Sequence, residues 1–227
     1  MKLLRQTHKI EYIQPNILQH LEIAARNCYK SENKINDTSA ENLLKNIIKN
    51  KHLSVLEHAN MTIRFITNRT VSHQLVRHRT GIVFSQESQR YCTYNNHVQF
   101  IIPERIESLF KLDQAVMNFT DIEAILNEKD KKQTIRESAL SWLKMCLKTE
   151  MNYHSLLFDN WPSEDARGVL SNDVKTEIVV TANIREWRYI FELRITNKCQ
   201  YNMRILMRKT LDEVKTKIPL LFDDITY

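Results

Sequence analysis

Glycine is almost missing: Gly81 and Gly168 are the only two in 227 residues. Neither a P-loop nor a glycine-rich dinucleotide fingerprint can be written with them, so any phosphate must be held mainly by side chains. Each glycine sits just after an arginine, in Arg79-Thr80-Gly81 and Arg167-Gly168. There a missing Cβ permits either an ordinary turn or a close backbone approach to a ligand. The four cysteines, Cys28, Cys92, Cys146 and Cys199, have no paired ligand spacing. That argues against a zinc site or a disulfide framework and predicts free thiols in a reducing compartment. No apolar run approaches the ~20 residues needed to cross a bilayer. Met1 to Gln6 also lacks the apolar stretch of a signal peptide, so a soluble, cytoplasmic protein is expected.

What is present is a 42% hydrophobic chain, enough for a sizeable core, with no repeat, linker or low-complexity tract to mark a boundary. A single domain over residues 1–227 is expected. The formal charge of +6 and a pI near 9.1 favour encounter with anions, whether nucleic acid, an acidic surface or phosphorylated small molecules.

Periodicity predicts an α+β fold, helix-rich, around a small, largely antiparallel central sheet. Residues 3 to 13 read as a first strand, and Pro15 precedes a helical pattern from Ile17 to Cys28. Thr38 and Glu41 have the spacing of a capping box before Leu43 to Lys49. Met61, Ile63 and Phe65 alternate as a strand until Ile66, and a short helix is expected from Thr70 to Arg77. Val98 to Ile102 reads as a strand stopped by Pro103. Helical spacing follows from 104 to 158, with a polar break at Asn127 to Lys132. Pro162-Ser163-Glu164-Asp165 opens another helix, Val174 to Val180 alternate, and Asn183 to Thr196 and Cys199 to Lys215 are helical.

Three clusters carry chemistry. In the first, the expected helix puts Gln74, Arg77 and His78 on one face with Arg79 adjacent, either an anion clamp or a solvated basic helix end. Ser85 to Tyr91 follows it with hydroxyls, amides and Arg90. The second, His52-Leu53-Ser54-Val55-Leu56-Glu57-His58, has no third ligand at a metal spacing, so no metal is expected. In the third, Ile184, Trp187, Ile190, Phe191 and Ile195 make one apolar stripe, and Asn183 and Arg194 project at nearly the same angle along it. A guanidinium there either meets an anion or acceptor or snorkels to the stripe's edge.

Arg77-His78-Arg79, then Ser88 and Arg90-Tyr91, resemble the motif of flavin-dependent thymidylate synthases. Eight residues separate Arg79 from Ser88, one more than that family's usual spacer. Ala166-Arg167-Gly168-Val169-Leu170 resembles its Ala-Arg-x-x-Leu element, with Ser171 in place of the usual proline. The 52–58 segment and the Asn183-x-Arg185 helix also match, with Tyr189 where Asn or His is commoner.

The resemblance implies a single domain of that family's fold, converting dUMP to dTMP. It implies methylenetetrahydrofolate as carbon donor, FAD as redox cofactor and NADPH as reductant. The implied dUMP contacts are Gln74, Leu75, Val76, Arg77, Gln86, Glu87, Ser88, Gln89, Arg90, Arg167 and Arg194, with Arg194 as the catalytic group polarising the pyrimidine. FAD would meet Ser54, Arg77, His78, Arg79, Gln86, Asn183, Arg185 and Tyr189, with His52 and Glu57 lining the site. A homotetramer with shared sites is also implied, with no nucleic-acid or membrane partner. The cysteines follow Asn27, Tyr91, Met145 and Lys198, so the Pro-Cys nucleophile of the unrelated synthase is absent. The rival class is a basic nucleic-acid-binding protein whose arginines track a phosphodiester backbone.

Overall fold

The structure is a computed structural model that describes residues 1–109 and 133–227. Its strands are β1 (Lys2–Leu4), β2 (Thr7–Ile13), β3 (Asn60–Asn68), β4 (Ile82–Gln86), β5 (Gln99–Ile101) and β6 (Lys175–Asn183). The helices are α1 (Ile17–Asn27), α2 (Ser39–Lys49), α3 (Arg69–Leu75), α4 (Gln133–Phe158), α5 (Ser163–Ala166), α6 (Ile184–Arg194) and α7 (Tyr201–Lys217). A four-stranded antiparallel sheet runs in the order β2-β3-β6-β4, and β1 pairs with β5 in parallel, Leu3 opposite Phe100. The α+β architecture is therefore as expected, with this parallel pair added. Among the described residues no helix is long and apolar enough to cross a membrane.

The described chain forms two compact units. The first comprises Met1–Thr7, Ile66–Leu75 and Gln86–Ile178; the second comprises His8–Phe65, Val76–Ser85 and Val179–Tyr227. In the first unit, Leu3, Val98, Phe100, Ile102, Leu143, Tyr153 and Val174 build the core. In the second, Trp187 stacks on Phe191 at 5.7 Å, and Phe191 meets Phe222 edge-on. The Trp187 indole N–H donates to the Met61 carbonyl, so the ring is buried without an orphaned donor.

Several boundaries differ from expectation, each for a local reason. The single strand expected over 3–13 is two strands. Between them Gln6 is buried, its amide donating to Glu104 and accepting from Thr67. The Thr38 side chain makes no capping bond to α2. Asn36 instead accepts from the Thr38 N–H and hydroxyl, the Asx-turn alternative open to a short amide side chain. Ile66 neither ends β3 nor breaks its alternation: inward and outward positions alternate through Ile66 to Thr67, and the strand continues to Asn68. α3 stops at Leu75, so Arg77 lies in the turn beyond it and His78 just after that turn, and neither shares a helical face with Gln74. β4 occupies residues read as spacer. Of the helical spacing expected over 104–158, the described part is a 3₁₀ turn at Glu107–Leu109 and α4. The polar break at Asn127 to Lys132 lies outside the described residues.

Candidate active site

In the second unit, α6 is placed by its stripe: Ile184, Trp187, Ile190, Phe191 and Ile195 are all buried, as the period requires. Asn183 caps it with extended backbone, its Oδ1 accepting from the Glu186 N–H at 2.8 Å. Asn183 is therefore outside the helix, and its side chain does not run along the stripe with Arg194. The guanidinium sunk in the apolar face is Arg188, 3% exposed, held bidentately by Asp224 and donating also to the Leu221 carbonyl. Sequence reasoning missed it, because its carboxylate partner lies far along the chain.

Arg194 is half-buried at the helix end, where the dipole favours a cation, and its Nε donates to His78 Nε2 at 3.1 Å. His78 is 5% exposed, and its Nδ1 lies 3.2 Å from Glu186 Oε1. The Tyr189 ring meets the imidazole edge-on at 5.9 Å. Burial and the Arg194 charge push the histidine pKa down to about 4, so the ring is neutral at physiological pH. Burial also raises the Glu186 carboxyl above its ordinary value.

These shifts set a pH dependence of stability. As pH falls from about 6.5 toward 4, an unfolded chain binds a proton at residue 78 that the folded chain does not. Folding is therefore weakened progressively across that window, by at most about 3 kcal/mol once the folded pKa is passed. His8, lowered by burial, acts in the same direction, while the raised Glu186 carboxyl recovers part of the loss. Urea midpoints at pH 7 and pH 5 should fall more for the wild type than for His78→Gln. Equal falls would contradict a buried neutral His78.

Gly81, in the same unit, has φ +62 and is the only place where the backbone requires a glycine among the two present. Its carbonyl accepts from the Asn183 N–H at 3.0 Å, and a Cβ there would stand 2.1 Å from Asn183 Nδ2. The close approach is to the protein itself. Gly168 has nothing within 4 Å of a built Cβ.

The 3₁₀ turn Leu53–His58 presents His52, Ser54 and Glu57 at the surface, with Leu56 anchoring it in the core. Glu57 pairs with Arg185 at 2.6 Å. His52 and Ser54 line a cavity of about 350 Å³ with Arg26, Tyr29, Asn46 and Ile47. Arg26 of α1, Asn46 and Ile47 of α2, and Tyr29 just beyond α1 were not singled out from sequence, since nothing local distinguishes them from an ordinary helix surface. Arg77 and Arg79 are exposed.

In the first unit, two expected dUMP contacts converge on Glu164: Arg90 pairs with its carboxylate at 3.0 Å, and Arg167 Nε donates to its carbonyl at 2.9 Å. Ser88 organises the turn carrying Arg90, its carbonyl accepting from the Tyr91 and Cys92 N–H groups and its hydroxyl from the Arg90 N–H. Gln86 donates to Ser72 and Thr176, and Glu87 pairs with Lys175 at 2.9 Å. Gln89 is buried. Leu75 is fully buried, main chain included, while Gln74 and Val76 are partly exposed. Among the described residues no group of three or more His, Cys, Asp or Glu could hold a metal ion. All four cysteines are free, and burial pushes the Cys146 thiol far above its usual range.

Comparison with known proteins adds an independent line. Residues 10–220 match the profile of a family described as thymidylate synthase complementing protein. A flavin-dependent thymidylate synthase from Corynebacterium aurimucosum is 34% identical over 207 residues, 90% of this chain and 78% of that protein. One from Geobacter sulfurreducens is 32% identical over 223 residues, covering 92% and 84%. The fold is shared with thymidylate synthase X from Helicobacter pylori, solved with FAD and dUMP, at TM-score 0.70 and 22% identity over 96% of this chain and 98% of that one. The chain belongs to the flavin-dependent thymidylate synthase family.

Proposed function

We propose that this chain is a flavin-dependent thymidylate synthase that converts dUMP to dTMP, with methylenetetrahydrofolate as carbon donor and NADPH as reductant. Family membership supports the activity. The observation that carries the site assignment is the pairing of two separated motif segments, His78 of the Arg-His-Arg run with Arg194 of α6.

The cavity beside His52 and Ser54 suits part of FAD. Tyr29, Leu43, Ile47 and Val55 offer apolar walls, and Arg26, Asn46 and Asn50 offer polar edges. Ser54, Arg77, His78, Arg79, Gln86, Asn183, Arg185 and Tyr189 are assigned to FAD, with His52 and Glu57 at its margin. When bound, FAD supplies the hydride that reaches the pyrimidine. The protein's own contribution is positioning and polarisation. Arg77, Arg90 and Arg167 are assigned to the dUMP phosphate or uracil, since no glycine-rich loop exists to hold an anion. Ser88 orients the substrate with Gln86, Glu87 and Gln89, and Gln74, Leu75 and Val76 complete the dUMP contacts. Arg194 places a fixed positive charge against the uracil carbonyl and N3, lowering the cost of negative charge there. The raised Cys146 thiol is no nucleophile for this chemistry.

On this reading residues 1–227 act as one functional domain, cytoplasmic, working as a homotetramer with shared active sites. Purified protein should show flavin absorption bands that NADPH bleaches and air restores, and should form dTMP only when dUMP and methylenetetrahydrofolate are both present. Colourless protein that binds DNA with steep salt dependence would overturn it in favour of the nucleic-acid reading.

A further inference from the structure

The geometry points to Glu186 as a positioning residue that fixes the protonated nitrogen of His78 and, through it, the direction of Arg194. This inference rests on the assignment of Arg194 as the polarising group.

Glu186 is the third residue of α6, where a glutamate ordinarily turns back to accept from the N-cap N–H. Here that N–H, of Asn183, already donates to the Gly81 carbonyl at 3.0 Å. The carboxylate is thus released from capping. It faces the His78 Nδ1 at 3.2 Å, with side-chain exposure of only 9% for the glutamate and 2% for the histidine. On the other side of the ring, Arg194 Nε stands 3.1 Å from His78 Nε2. A guanidinium N–H only donates, so Nε2 must present its lone pair and the ring proton must sit on Nδ1. An Nδ1–H needs an acceptor when buried, and Glu186 is the one the structure supplies.

The three side chains therefore form a directed series: Arg194 donates to His78, and the His78 Nδ1, which carries the proton, faces Glu186 Oε1 at 3.2 Å. Glu186 and Arg194 are eight residues apart on one helix, about 12 Å along its axis. A single imidazole from the Arg-His-Arg run spans them. Moving the proton to Nε2 would set N–H against N–H and turn the guanidinium away. Tyr189, edge-on to the ring, restricts its rotation. Glu186 need not touch substrate; it acts by holding the tautomer that holds Arg194.

The test compares Glu186→Leu with Glu186→Gln, since the amide oxygen of glutamine still accepts. Glu186→Leu should lower kcat about tenfold to hundredfold, the scale of a misaimed catalytic group, with KM for dUMP changed less than threefold. Glu186→Gln should stay within about threefold of wild type in kcat. In protein carrying ¹⁵N-histidine, with the signal assigned by its loss in His78→Gln, wild type and Glu186→Gln should carry the ring proton on Nδ1, and Glu186→Leu should not. Wild-type protein with the proton on Nε2 overturns the inference without any variant, which protects the test if Glu186→Leu folds poorly. Full activity of Glu186→Leu alongside an inactive Arg194→Ala overturns the inference alone. An active Arg194→Ala overturns the reading beneath it.

Discussion

Arg194→Ala is expected to lower the rate of dTMP formation about 10²–10³-fold, the loss typical of removing one preorganised donor from developing negative charge. Flavin absorbance per chain should stay near the wild-type value. The variant leaves the α6 stripe intact, because Arg194 is outside the set Ile184, Trp187, Ile190, Phe191 and Ile195 that packs the core. The cap at Asn183 also survives, eleven residues away. What is lost is a guanidinium whose Nε is already committed to His78, so its orientation is set before substrate arrives. A charge fixed in advance requires no reorganisation during the reaction, and this is why its removal should appear in kcat more than in KM. Arg194→Lys separates charge from direction: an ammonium keeps the charge but not the planar fork, and should recover only part of the rate. If Arg194→Ala retains turnover within threefold, the polarising role belongs to another residue.

The sequence disclosed most of what rests on local period. β3 and β6 alternate between core and surface in the register their apolar residues announce, and α6 buries its whole stripe. β4 escaped notice because Ile82-Val83-Phe84 puts apolar residues on both faces, Val83 exposed between the half-buried Ile82 and Phe84, so no apolar–polar alternation marks it. The chain after α3 was misread as helix for a related reason. Val76 to Thr80 has no breaker until Gly81, whose left-handed backbone serves the turn into β4. The residues proposed for the site are those a motif spells, as for Arg77, His78, Arg90, Arg167 and Arg194. Their partners were not. His78 and Arg194 are 116 residues apart, and the Arg188 clamp depends on Asp224, so neither pair follows from spacing. Glu186 was hidden for a subtler reason: its position in the first turn of a helix is already explained by capping and the dipole. Only the Gly81 carbonyl on the Asn183 N–H reveals that it has another task.

Gly81→Ala should be the most damaging single methyl group that can be added at a glycine of this chain. Two costs combine. A left-handed backbone at φ +62 costs an L residue about 1–2 kcal/mol, and the new Cβ would lie 2.1 Å from Asn183 Nδ2, a distance no atom pair tolerates. The amide must move, and with it the Oδ1 bond to the Glu186 N–H, a cap worth about 0.5–2 kcal/mol. Together these predict a loss of roughly 2–4 kcal/mol in urea unfolding. Activity should fall further than stability alone explains, because the displaced first turn of α6 carries the Glu186 carboxylate that faces His78. A double-mutant cycle isolates the steric part. On an Asn183→Ala background the obstructing amide is gone, so Gly81→Ala should cost only the backbone strain, about 1 kcal/mol or more below its cost in the wild type. Gly168→Ala provides the contrast: with open space around it, that change should alter stability by less than about 1 kcal/mol and leave turnover intact. Equal effects at the two glycines would mean that the Gly81 turn relaxes freely, and that the approach of its backbone to Asn183 does not hold the start of α6 in place.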